Sequence, residues 1–411
     1  MTMFGVDDNE VEPLAAAIAG RDLDRDEREE LVARAAWSGI AEPGDRLAGV
    51  LVQAFGAAEA LRTALAAPGV EGMLARLRAE GVTDVDEKQV GDALERWRPR
   101  LPMPNALQAM RQAARVGARL LVPSDPRWPT GVDDLGEHAP LALWVRGNDA
   151  ALDALPRSIA LVGARAATGY GEHVTMEASA GLVDRGYAIV SGAAYGIDGM
   201  AHRAALASHG QTIAFLAGGV DRFYPSGHDA LLTRIVEQGA VISELPCGQA
   251  PTKWRFLQRN RLIAAASRAT VVLEAGWRSG SLNTAGHACE LGRPLGAVPG
   301  PVTSAASAGC HRLLRDYGAV CVTNPDQMAE LAPLDLAPTL FDPRDEGLAD
   351  RSLELTRLTD AMSARSPRVA ADIAARSGLP LDTVRALLGR LELDGDGDVA
   401  ERERGWVVVR G

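Results

Sequence analysis

Ser158-Ile-Ala-Leu-Val-Gly163 is an unbroken apolar run that stops at glycine, and the chain after it, from about 170 to 185, has helical periodicity. The unit then repeats. Ala188-Ile-Val-Ser-Gly192 precedes a helix expected from Ile197 to about Ser208, and Thr212-Ile-Ala-Phe-Leu-Ala217 and Val241-Ile-Ser-Glu244 follow. Ala269-Thr-Val-Val-Leu-Glu274 and Leu295-Gly-Ala-Val298 add two more strands. Strands without polar alternation, each followed by glycine and a helix, belong to a parallel sheet covered on both faces. The expected fold class is therefore α/β, a doubly wound Rossmann-like parallel sheet, and such sheets bind ligands at the carboxyl ends of their strands.

Outward from this core, Leu141-Ala-Leu-Trp-Val-Arg-Gly147 reads as a further strand, reached through the extended linker Val122-Pro-Ser-Asp-Pro-Arg-Trp-Pro129. Residues 1–110 are rich in Ala, Leu, Glu and Arg, with helical stretches near 28–38, 45–66, 70–80 and 89–98. Pro99, Pro102 and Pro104 are expected to end that section. On the other side, 333–352 carries Pro333, Pro338, Pro343 and several acids, a linker composition. Val369–Arg376, the Ser377-Gly-Leu-Pro380 turn and Asp382–Leu391 then read as a helix-turn-helix, with Trp406–Arg410 closing a wing. The expected division is an N-terminal helical domain over 1–110 and the sheet domain with its leading linker over 111–332. A linker over 333–352 and a C-terminal winged helix over 353–411 complete it.

The 411 residues are 47% hydrophobic and 24% charged, an ordinary globular balance, but only 4% aromatic. The net charge of −11 argues against a general polyanion binder, yet it is uneven. Residues 1–149 hold 17 basic and 25 acidic groups, 150–330 hold 15 and 14, and 331–411 hold 11 and 15. A local patch in the middle section would have to attract any anionic ligand. With no 18-residue apolar run and no basic-then-apolar leader, no membrane segment is expected and the cytoplasm is the expected location. Cys247, Cys289, Cys310 and Cys321 lack Cys-x-x-Cys spacing and read as buried thiols, so no metal is expected.

That patch is Pro251-Thr-Lys-Trp-Arg-Phe-Leu-Gln-Arg-Asn-Arg261, where Lys253, Arg255, Arg259 and Arg261 bring four cations with no acid between them. Lys253 is one of only two lysines in the chain. Cations hold a phosphate backbone and aromatic faces stack bases, so Lys253, Arg255, Arg259, Asn260 and Arg261 are candidate contacts to a single-stranded nucleic acid. Phe256 and Tyr224 are candidate stacking rings, with burial the alternative for each. Glycine and small polar residues end nearly every strand: Gly163 with Arg165, Ser191 with Gly192, Gly218 with Gly219, and Ser279-Gly280-Ser281. Backbone amides there can cradle phosphates and Arg165 can clamp one, although glycine also serves tight turns. The Gly163 loop lacks the G-x-G-x-x-G register, and no G-K-[ST] is present, so no dinucleotide or triphosphate cofactor is expected. Asp198 and His202, four apart, read either as an acid–base pair or as a cap holding a histidine.

Together these motifs resemble the DNA-processing protein A family (DprA, also called Smf). The resemblance runs through Val162-Gly-Ala-Arg165, Ser191-Gly-Ala-Ala-Tyr-Gly-Ile-Asp198 with Ala201-His202, and Gly218-Gly-Val-Asp-Arg-Phe-Tyr-Pro225. It continues through Ser243-Glu244, Phe256-Leu-Gln-Arg-Asn-Arg-Leu-Ile263, Glu274 with Arg278-Ser-Gly-Ser281, Val298-Pro-Gly300 and Ser307-Ala-Gly-Cys-His311. It implies a cytoplasmic, non-enzymatic homodimer that binds single-stranded DNA without sequence preference and delivers it to the RecA recombinase during transformation. It also implies a helical N-terminal domain of SAM type and a C-terminal winged helix, and makes Leu313, Leu314 and Val320 the expected two-fold interface. Tyr195 departs from the family, standing where many members carry Lys or Arg. The rival is a phosphoribohydrolase of the same fold, whose Pro-Gly-Gly-x-Gly-Thr loop is here Ala275-Gly-Trp-Arg-Ser-Gly-Ser-Leu-Asn-Thr284. A duplex-reading winged helix is opposed by the acids Asp394, Asp396, Asp398, Glu401 and Glu403.

Overall fold

The computed structural model describes residues 2–334, 357–363, 366–393, 399–402 and 405–408. A short hairpin, β1 (Thr2–Met3) and β2 (Val6–Asp7), leads into α1 (Asp8–Ala19), α2 (Arg25–Ile40), α3 (Arg46–Phe55) and α4 (Ala57–Ala66). Helices α5 (Gly69–Ala79), α6 (Glu87–Trp97) and α7 (Met103–Val116) complete the helical section. Capping boxes start two of them, Asp24 with Glu27 at α2 and Asp86 with Gln89 at α6. The stretch 45–66 is two helices, because Gly56 takes φ +78° between them. Pro99 lies in a 3-10 turn just after α6, but Pro102 and Pro104 instead open α7: Pro104 lies in its first turn, where a missing N–H leaves no helical bond unmade.

The sheet follows as β3 (Arg119–Leu121), β4 (Leu143–Gly147), α8 (Asp149–Ala154), β5 (Ser158–Gly163), α9 (Gly169–Asp184), β6 (Ala188–Ser191), α10 (Ile197–Ala207) and β7 (Thr212–Phe215). Then come α11 (Asp229–Gln238), β8 (Ala240–Ser243), α12 (Lys253–Ala266), β9 (Ala269–Glu274), α13 (Ser281–Glu290), β10 (Leu295–Ala297), α14 (Ala308–Asp316), β11 (Val320–Cys321) and α15 (Pro325–Glu330). The sheet order is β11-β10-β9-β5-β6-β7-β8-β4-β3. Strands β5 to β11 are parallel, while β4 joins β8 and β3 joins β4 in antiparallel register, so the expected parallel sheet is mixed at one edge. Every residue of β9 is buried, as its unbroken apolar run requires.

Strand order reverses at β5, which has β6 on one side and β9 on the other. The chain moves outward from β5 through β8, crosses back through α12, and moves outward again from β9. A crevice must open at the carboxyl ends of β5 and β9, the switch point where doubly wound sheets take ligands.

The helical section and the sheet form one compact unit that ends at Leu334. Trp37, Trp97 and Trp144 are fully buried in a core the two share. The Trp144 indole N–H donates to Ser38 Oγ at 3.0 Å, and Arg34 donates to the Leu141 carbonyl at 2.6 Å. The second unit contains α16 (Ala370–Ser377), α17 (Leu381–Leu393) and the antiparallel hairpin β12 (Val399–Arg402) and β13 (Gly405–Val408). Leu358, Met362, Ile373, Val384 and Leu388 form its small core. This is the winged helix read from the sequence; of the linker expected over 333–352, residues 335–352 lie outside the described residues, as do Asp394, Asp396, Asp398 and Glu403.

All four cysteines are free, but only Cys247 and Cys310 are buried, with burial pushing each thiol up to about 12. Cys289, near the end of α13, and Cys321, on the edge strand, are exposed, which corrects the reading of four buried thiols.

Candidate nucleic-acid interface

A cleft of about 880 Å³ opens at the β5/β9 switch point. The loop after β5 brings Gly163 and Arg165, the loop after β9 brings Arg278, Ser279, Gly280 and Ser281, and α12 brings Lys253, Phe256, Arg259 and Asn260. Thr252 caps α12 by accepting from the Arg255 amide at 3.3 Å, which sets the helix start at the rim. Arg165, Lys253 and Arg278 are exposed, and none has an ion-pair or hydrogen-bond partner among the described residues. Ten of the residues expected to touch DNA thus line one cleft: Gly163, Arg165, Tyr224, Lys253, Phe256, Arg259, Asn260, Ser279, Gly280 and Ser281.

Phe256 is the organising ring. The guanidinium carbons of Arg165 and Arg259 lie 5.4 and 5.8 Å from its centroid, and Tyr224, half exposed, packs against it at 5.4 Å. Cation–π contact holds the Arg165 head over the cleft without neutralising it. Beneath, Arg259 is only 6% exposed; Nη1 donates to the Gly192 carbonyl at 2.7 Å and to the Phe215 carbonyl, joining the ends of β6 and β7. Burial lowers the guanidinium to about 10, Asp198 opposing the shift, so it stays cationic at neutral pH. Burial pushes the Asp198 carboxyl up, against Arg259 and the amides of Ala194, Gly163 and Gly192. Arg259 and Asp198 both line the cleft.

Other expected contacts lie elsewhere. Arg255 is bidentate to Glu42 of the helical section, Nε to Oε2 at 3.0 Å and Nη2 to Oε1 at 2.9 Å. Arg261, 4% exposed, pairs with Glu244 at 2.9 Å. Ser191 is buried and donates to the Leu161 carbonyl. A β-carbon on Gly192 would fall 2.4 Å from Arg259 Nη1, so the glycine makes room for that side chain. Gly218 packs against the Gln249–Pro251 backbone, and the Gly219 amide donates to the Gln249 carbonyl at 2.9 Å. Neither glycine lines the cleft, and the Gly219 amide is spent on the turn. Gly163 lines the cleft but also needs its bare α-carbon, since a β-carbon would meet Ile197 at 2.6 Å and the Glu274 carbonyl at 2.8 Å.

Asp198 and His202 do not pair. The Asp198 carboxylate accepts from the Gly192 amide at 3.2 Å, and His202 Nδ1 sits 2.7 Å from Thr212 Oγ1, with burial lowering the imidazole to about 3. Glu274 holds the start of α9 through the Thr168 amide and hydroxyl. Arg278 was not among the expected contacts; its signal was its place in the loop after a central strand. Of the residues expected at a two-fold interface, Leu313 is fully buried on the sheet and so not available at the surface, while Leu314 is half-buried beside the same core. Val320, on edge strand β11, is half exposed. Tyr195 is half exposed and packs edge-on against His228 at 4.8 Å.

A family model described as DNA recombination-mediator protein A matches residues 119–333, and one described as the DprA winged helix domain matches 342–398. A Mycobacterium tuberculosis relative bearing the name DNA processing protein DprA is 42% identical over 363 residues, covering 84% of this chain and 92% of its own. Protein Smf of Escherichia coli is 38% identical over 280 residues, 66% of this chain and 72% of its own. Among solved structures, DNA processing protein A from Streptococcus pneumoniae superposes with a TM-score of 0.57 at 27% identity. It covers 74% of this chain and 98% of its own.

Proposed function

The chain belongs to the DNA recombination-mediator protein A family, and from that premise we propose that its cleft binds single-stranded DNA without sequence preference. One observation carries the reading: three unpaired cations, Arg165, Lys253 and Arg278, reach a single cleft from three different segments and surround an aromatic pair. Phosphates lie on the cations, and bases lie toward Tyr224 and Phe256. The family premise extends this to protecting incoming DNA and delivering it to the RecA recombinase in the cytoplasm during transformation. Among the described residues, no helix is long and apolar enough to cross a membrane.

The role is binding, not catalysis. Asp198 and Glu274 are engaged by backbone amides and His202 is buried away from the cleft, which supports a binding role over the phosphoribohydrolase reading. We place the two-fold homodimer contact at the sheet edge around Val320, where an isologous contact would pair β11 with its copy. A Val320→Asp variant that stays dimeric by light scattering would remove that contact.

The test is salt dependence. Three phosphates neutralised on a single strand give a log–log slope of about −2, at roughly −0.7 each. Arg165→Ala, Lys253→Ala or Arg278→Ala should each weaken binding and flatten the slope by about 0.7. A variant with weaker binding but the parent's slope would exclude its cation from phosphate contact.

A further inference from the structure

We propose that a strand lying in the cleft continues over the first turn of α12 and stacks a base on Trp254, in a second pocket between α12 and the helical section. This rests on the single-strand reading above and extends its path.

Trp254 differs from the other described tryptophans, of which Trp406 packs half-buried against the small core of the second unit. Trp37, Trp97, Trp128 and Trp144 are buried, and their indole N–H groups donate to Ala57, Asp45, Asp133 and Ser38. Trp277 is exposed but lies under the Arg312 guanidinium, 5.2 Å from the ring centroid. Trp254 is 56% exposed, and among the described residues nothing hydrogen-bonds its N–H or stacks on its ring. So large an apolar face left open in a chain of 4% aromatic content marks a contact surface.

Its position supplies the occupant. Trp254 is next in sequence to Lys253, which lines the cleft, and is itself part of a pocket of about 400 Å³ with Pro43, Gly44, Gln89, Asp92 and Arg96. Charges around that pocket are largely matched: Arg96 to Asp45 at 3.2 Å, Arg46 to Glu137 and Asp84, and Glu42 to Arg255 and Arg100. With Asp92 exposed besides, the pocket holds no spare cation for a phosphate among the described residues. A neutral base fits such a place, with its phosphate held outside by Lys253. Stacking of this kind tolerates any base.

Oligothymidylates of about six and about sixteen nucleotides, spanning the site sizes of single-strand grooves, separate the two segments of the path. Trp254→Ala should weaken the longer strand at least about fivefold, the low end of base–aromatic stacking, and change the shorter one less than about twofold. Trp254→Phe, which keeps a ring, should recover most of the loss. Equal losses at both lengths would place Trp254 in the cleft itself, and no loss at either length would leave it without a base; both overturn the proposal. Failure of the parent to bind either strand would instead sink the cleft reading.

Discussion

Arg261 and Glu244 make a buried pair at 2.9 Å with side chains 4% and 11% exposed, and its geometry sets what their removal should do. Glu244 Oε1 also accepts from the Gly44 amide at 3.3 Å, while Oε2 and the Arg261 Nε and Nη1 have no partner among the described residues. A pair with three unmet groups contributes little as a pair, because desolvation of both charges offsets their attraction. Breaking it is different. Arg261→Ala leaves a buried carboxylate with one long amide contact, and such uncompensated charge costs about 3–5 kcal/mol. Arg261→Met combined with Glu244→Leu removes both charges at similar volume and should cost less than about 1 kcal/mol. Denaturant unfolding of Arg261→Met, Glu244→Leu and the double closes a mutant cycle, with an expected coupling of at least about 2 kcal/mol. The folded double variant should bind single strands within about threefold of the parent. Arg261→Ala that keeps stability within about 0.5 kcal/mol yet loses single-strand affinity tenfold would refute the structural role and return Arg261 to the DNA.

Gly192→Ala sets a β-carbon against the Arg259 guanidinium, which is tied to two carbonyls and cannot withdraw, so melting temperature and single-strand affinity should fall together. An unchanged melting curve would show that Arg259 has room to move. Because burial lowers His202 to about 3, the unfolded chain takes its proton first: stability is full above about pH 6.5 and erodes toward pH 3, by up to about 1.4 kcal/mol per unit. His202→Gln should flatten that part of the stability–pH profile, and a parallel profile would show that the imidazole is not the group responsible. Deleting residues 350–411 should leave single-strand affinity within about threefold, under 1 kcal/mol; a tenfold loss with the first unit folded would overturn it.

The sheet was legible because buried parallel strands must be continuously apolar, and the six such runs, together with Leu141–Gly147, all lie in the sheet. The residues at the β5 and β9 ends were legible for the same reason, since a strand's carboxyl end fixes where its loop opens. What misled was the basic run. At 3.6 residues per turn, Lys253, Phe256, Asn260 and Ile263 share the face that lines the cleft, while Arg255 and Arg261 lie off it and meet Glu42 and Glu244. Glu42 is 213 residues away in sequence, so no local pattern could announce it. Proline misled in the same manner at Pro104, whose terminating and initiating roles differ only by which side of it the helix lies.

The counting of cations in that run therefore changes meaning once partners are known. Of its four basic residues, Arg255 and Arg261 are bound by carboxylates and Arg259 is held by carbonyls above Asp198, which leaves Lys253. The free charge of the cleft is rebuilt from Lys253, Arg165 after β5 and Arg278 after β9, three cations on three separate segments. On the proposed single-strand reading, a strand would have to touch all three segments to use them, which would fix its path across the switch point more firmly than a single basic helix could. The acidic helical section has a place in this arrangement. Glu42, clamped between Arg255 and Arg100, holds the outer side of α12, so that the side carrying Lys253 and Phe256 faces the cleft already ordered. Preorganisation of that kind raises affinity by lowering the entropy lost on binding, without adding a single contact to the DNA.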